Sequence, residues 1–109
     1  MSKICPLFSG SSGNSTYIGT ENGGILIDAG ASMKRISDAL ISAGGDIAEI
    51  KAIAVTHEHS DHIMGLKTLL NKTGAKLITS KETFETLANM DKIPPKTEVV
   101  LLDDNTADI

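Results

Sequence analysis

A chain of 109 residues, 40% of them hydrophobic, has room for one domain with a modest core, and it contains no apolar stretch long enough to span a membrane. Its net charge of −4 supplies no global attraction to nucleic acid or to an anionic membrane surface, so composition alone selects no substrate. Aromatic residues are only 3% and Trp is absent, so the core must come from Ile, Leu, Val, Ala and Met; the single cysteine, Cys5, excludes an intrachain disulfide and fits a reducing compartment.

Lys3 to Phe8 reads as a first strand with Cys5 as a small buried hydrophobe, followed by the small polar run Ser9 to Ser15 and a second strand from Thr16 to Gly19. After a turn at Glu21 to Gly24, the continuous apolar run from Gly24 to Asp28 suits a strand buried on both faces, delivering Asp28 to the sheet's edge. Ser32 is placed to cap a helix through Ala43, stopped by Gly44-Gly45. A strand from Ala52 to Thr56 comes next, then a helix from about His62 to Thr73 with the stripe Ile63, Leu66, Leu69 and Leu70. Ala75 to Thr79 predicts a strand, Ser80 caps a helix to about Met90, and Thr97 to Leu102 resumes strand character after Pro94-Pro95. Strands that first run together and then alternate with helices describe a mixed α/β sheet covered by helices on one face, in one domain spanning residues 1–109. The N-terminus lacks the apolar run of a signal peptide, which makes the cytoplasm the default location.

All three histidines fall in Thr56-His57-Glu58-His59-Ser60-Asp61-His62, where an apolar strand gives way to a helix. In extended backbone, residues two apart project to one side, so His57 and His59 are placed to share an ion while Glu58 and Ser60 point away. Asp61 and His62 fall where the chain turns, a change of direction suited to a second ion beside the first. Imidazole with a carboxylate oxygen fits Zn, Mn or Fe better than Ca or Mg, and Zn best. The Ser9 to Ser15 loop, with Ser12 and Asn14, has the amides and hydroxyls to meet a phosphate, although such a run also suits a plain tight connection and lacks the lysine of a P-loop.

The order His57, His59, Asp61, His62 after strand Ile53 to Val55 resembles the H-x-H-x-D-H signature of the metallo-β-lactamase superfamily, and Gly65 agrees as well. Ile25-Leu26-Ile27-Asp28-Ala29-Gly30 resembles that superfamily's first motif, whose acid stands behind the metal ligands. The opening Phe8 to Ser15 followed by Thr16-Tyr17 is similar to the YycJ/WalJ-type branch, regarded as DNA-processing hydrolases with exonuclease-like activity. The resemblance covers most of residues 3 to 80 and implies the N-terminal half of an αββα sandwich of two pseudo-equivalent halves, with the metals at one edge between the sheets. The chain accordingly reads as a truncated half, because the later histidines and the bridging aspartate of the family have no clear counterpart here; Asp103, Asp104 and Asp108 are the aspartates of its tail.

The resemblance implies two divalent cations held by His57, His59, Asp61 and His62, with Asp61 also the candidate proton acceptor and Asp28 steadying an imidazole through its distal N–H. The expected activity is hydrolysis of a phosphodiester in nucleic acid by a metal-activated water. The alternatives are a thioester or lactam hydrolase of the same fold and a catalytically silent metal-binding module, for which a homodimer would cover the open sheet face.

Overall fold

The computed structural model describes residues 3–8, 13–21, 23–57 and 60–102. Six strands form one sheet in sequence order: β1 (Lys3–Phe8), β2 (Ser15–Thr20), β3 (Gly23–Ile27), β4 (Ile50–Ala54), β5 (Lys76–Ser80) and β6 (Val99–Leu102). The first three pair antiparallel, and β3 to β6 pair in parallel. Helices α1 (Met33–Ser42), α2 (Ser60–Ile63), α3 (Leu66–Thr73) and α4 (Lys81–Asn89) lie in the parallel crossovers, and a short 3₁₀ turn, Ile47–Glu49, precedes β4. Parallel strands need such crossovers, whereas β1 to β3 are joined directly.

Local signals set most boundaries. Ser32 caps α1 by accepting from Arg35 N at 3.3 Å, Ser80 caps α4 by accepting from Thr83 N at 3.2 Å, and Gly74 ends α3 at φ 67°. The core row crosses the sheet through Tyr17, Leu26, Ile53, Leu77 and Val99, which are in register, and Ile36, Leu40, Leu66, Leu69, Leu70 and Leu87 pack over it. Leu26, Ile53 and Leu77 are fully buried, each worth about 1.5–3 kcal/mol relative to exposure.

Three expectations need correcting. The strand expected to be buried on both faces, β3, is buried on one: Ile25 stands beside Ile18 and Ile4 on the opposite side, 36% exposed, with Ile4 68% exposed, because the packed helices cover only the Leu26 face. Cys5 is half-buried rather than buried, since β1 is the edge strand. The helix expected from His62 to Thr73 is broken at Met64-Gly65. The His62 carbonyl accepts from Ala29 N at 2.8 Å, and Gly65 N donates to Ala29 O at 2.8 Å, so two groups that a continuous helix would bond internally serve the loop after β3 instead. A Cβ at Gly65 would overlap the Ala31 carbonyl oxygen, so only glycine allows this approach.

Candidate metal centre

In an open sheet of this kind ligands bind beyond the carboxyl ends of the parallel strands, and four segments meet there. Strand β3 ends at Ile27 and delivers Asp28; β4 continues through Val55 to Thr56 and His57; α2 brings His62; and β2, running against β3, starts at the same edge, so Asn14 and Ser15 enter from the other side. Backbone bonds tie the segments together. Asp28 N donates to Ala54 O at 2.7 Å, Gly30 N to Asn14 O at 2.9 Å, and Val55 N to Ile78 O at 2.9 Å. Gly13, at φ 135°, lies so close to Gly30 that a Cβ would come 2.9 Å from its carbonyl oxygen.

Asp28 sits in the left-handed region at φ 64°, a conformation that aspartate tolerates better than most residues at a cost of roughly 1–2 kcal/mol. Its buried carboxylate offsets that cost by collecting three donors. Thr56 N donates to Oδ1 at 2.8 Å, the Thr56 hydroxyl donates to Oδ2 at 2.7 Å, and His62 Nδ1 lies 2.9 Å from Oδ2. A carboxylate only accepts, so His62 carries its proton on Nδ1 and presents Nε2 as the lone-pair nitrogen. The Asn14 amide nitrogen stands 3.5 Å from that Nε2, at the limit of hydrogen bonding.

His57 faces His62 with ring centroids 5.0 Å apart and planes tilted by 51°. Its Nδ1 lies 3.0 Å from the Thr56 hydroxyl oxygen. The structure thus gathers His57, His62, Asp28 and Asn14 at one edge. Of the other sequence-derived site residues, Ser12 and His59 fall outside the described residues, and Asp61 is described only as part of the α2 backbone. Among the described residues, no group of three His, Cys, Asp or Glu side chains surrounds a common point. An imidazole held by Nδ1 and presenting Nε2, as His62 is, with a second imidazole beside it, nevertheless suits a borderline divalent ion such as zinc, and a carboxylate behind a ligating imidazole is the arrangement that fixes its tautomer. Thr56 was not singled out in the sequence; the one available signal was a hydroxyl residue placed immediately before the first histidine at a strand end.

A family model described as the metallo-beta-lactamase superfamily matches residues 9–106. The chain belongs to the metallo-beta-lactamase superfamily. Among curated members, it is 42% identical over 87 residues to the exodeoxyribonuclease WalJ of Streptococcus pneumoniae serotype 2 (strain D39 / NCTC 7466), covering 80% of this chain and 32% of that protein. It is 38% identical over 84 residues to the exodeoxyribonuclease YycJ of Bacillus anthracis, covering 77% and 32%. The chain therefore spans about a third of the length of these curated relatives. Among solved metallo-beta-lactamase structures, BJP-1 of Bradyrhizobium japonicum, a subclass B3 enzyme, superposes with a TM-score of 0.73 at 26% identity, covering 95% of this chain and 43% of that one. The Rm3 metallo-beta-lactamase gives a TM-score of 0.72 at 25% identity, covering 93% and 45%. The expected mixed α/β fold of this superfamily is thus what the chain adopts.

Proposed function

We propose that His57, His59, Asp61 and His62 hold a pair of divalent cations, zinc being the best match to the donors, and that this chain carries that part of the centre for a hydrolase cleaving phosphodiester bonds in DNA. The observation carrying this reading is the Asp28–His62 contact at 2.9 Å, which turns Nε2 outward beside His57 at the carboxyl edge of the sheet. Similarity to two relatives named exodeoxyribonucleases, at 42% and 38% identity, favours DNA over a lactam, for which the solved neighbours are 18–30% identical.

A bound pair of such ions would supply Lewis acidity and make water acidic enough to attack at neutral pH. The chain's own residues do the rest. His62 holds its ring by Nδ1 and offers Nε2, with His57 beside it; Asp28 stabilises the His62 tautomer; Asp61 would serve as a ligand and as the acceptor of the proton released by the attacking water. Asn14, 3.5 Å from His62 Nε2, is positioned to donate its amide N–H to a phosphate oxygen, with Ser12 in the same loop as a second donor.

The test is zinc content together with turnover of single-stranded DNA, bis-p-nitrophenyl phosphate, a thioester and nitrocefin by the purified chain. Zinc uptake with DNA or phosphodiester cleavage supports the proposal. Cleavage confined to the thioester or nitrocefin moves it to another hydrolase of the same fold, and absence of both zinc and turnover leaves a silent module.

A further inference from the structure

The Thr56 hydroxyl lies between Asp28 and His57, 2.7 Å from the carboxylate oxygen Oδ2 and 3.0 Å from His57 Nδ1. A threonine hydroxyl has one proton. A carboxylate accepts and cannot donate, so that proton goes to Asp28, and the hydroxyl oxygen is left with lone pairs only on the side facing His57. The ring nitrogen 3.0 Å away must then carry a proton of its own. The tautomer of a histidine is set by the bond its other nitrogen makes, so His57 is held as the Nδ1–H form with Nε2 as the donor atom for a ligand.

We propose that Thr56 is a positioning residue that relays the acceptor character of Asp28 to His57, so that one buried carboxylate fixes the tautomers of two imidazoles, His62 directly and His57 through a hydroxyl. The consequence for a cation rests on the reading of His57 and His62 as metal ligands; the proton arrangement itself does not. Thr56 N also donates to Asp28 Oδ1 at 2.8 Å, so the backbone bond holds the residue in place when the hydroxyl is removed. Valine at this position keeps the branched shape and that backbone bond while deleting the relay.

The experiment compares the full chain with Thr56→Val and Thr56→Ser by imidazole ¹⁵N NMR, without metal and at alkaline pH where the rings are neutral. The three histidines are assigned by single substitution. In the wild type and Thr56→Ser, His57 is expected mainly as the Nδ1–H form; in Thr56→Val it moves toward the Nε2–H form, while His62, bonded to Asp28 directly, is unchanged. Zinc alone should bind Thr56→Val about tenfold more weakly than the wild type, with recovery in Thr56→Ser. A His57 tautomer indifferent to the valine substitution overturns the relay; equal zinc affinity in all three proteins overturns its consequence for the cation. If the wild type takes up no zinc, the metal-centre reading falls and the NMR comparison still decides this one. Should Thr56→Val fail to fold, as judged by its melting curve, Thr56→Ala takes its place.

Discussion

Asp28 Oδ2 and His62 Nδ1, from residues 34 positions apart, stand 2.9 Å from each other at the end of the central parallel strands. The carboxylate is buried and also accepts two bonds from Thr56, so one side chain joins the ends of β3 and β4 to the short helix α2. The contact thus closes the fold and orients the site at once.

Replacing Asp28 by Asn keeps a residue that tolerates the left-handed backbone but exchanges one acceptor oxygen for a donor. One of the three present donors then meets an amide N–H. Thermal melts of the metal-free protein should show a loss of about 1–3 kcal/mol. Zinc titration should show affinity reduced about 10–100-fold. A variant that melts and binds like the wild type would refute the role given to this carboxylate.

Zinc should stabilise the wild type. At a hundredfold excess over its dissociation constant the gain is about 2.7 kcal/mol, reversed by a chelator. His57→Ala and His62→Ala should each reduce the gain, and the double variant should abolish it. An equal rise in melting temperature in the double variant would place the ion elsewhere.

Gly65→Ala drives a methyl group into the Ala31 carbonyl at the point where α2 and α3 separate. The cost expected from such overpacking is about 1–3 kcal/mol by chemical denaturation. Gly74→Ala provides the contrast. Nothing lies within 4 Å of its added Cβ, so its penalty, about 1 kcal/mol, comes from φ 67° alone. If Gly65→Ala costs no more than an exposed helix substitution, the close approach is not what breaks the helix.

Burial pushes the Tyr17 phenol above its usual value of 10.0, and the charges of Glu49 and then Cys5 push it the same way. The native state therefore keeps this proton at a pH where the unfolded chain has released it. Stability tied to Tyr17 is complete below about pH 10 and declines as pH rises through the native value. Denaturant midpoints across that range should fall more steeply in the wild type than in Tyr17→Phe; parallel curves would show that Tyr17 is not responsible.

Much of the fold was legible in local chemistry. The caps at Ser32 and Ser80, the stop at Gly74 and the core stripe of Leu66, Leu69 and Leu70 on α3 lie where the sequence predicts them, because capping and helical periodicity depend on near neighbours. The break at Met64-Gly65 was not legible, since its causes are the Ala29 backbone and the Ala31 carbonyl, more than thirty residues earlier. The exposure of Ile25 was hidden for a related reason: a run of apolar residues states that a strand can be buried on both faces, whereas the placement of the helices decides which face is covered.

For the candidate site the division is similar. The order of His57, His59, Asp61 and His62 marked the segment because ligand type and spacing are written in consecutive residues. An imidazole partner for Asp28 was expected from the sequence, but that it would be His62, that Thr56 would stand between Asp28 and His57, and that Asn14 would come within 3.5 Å of His62 Nε2 were decided by the sheet. Parallel pairing of β3 with β4 brings two strand ends to one edge, and the antiparallel β2 starts there, so residues distant along the chain become hydrogen-bond partners. Sequence supplies the chemical groups; only the register of the folded strands sets the distances over which they act.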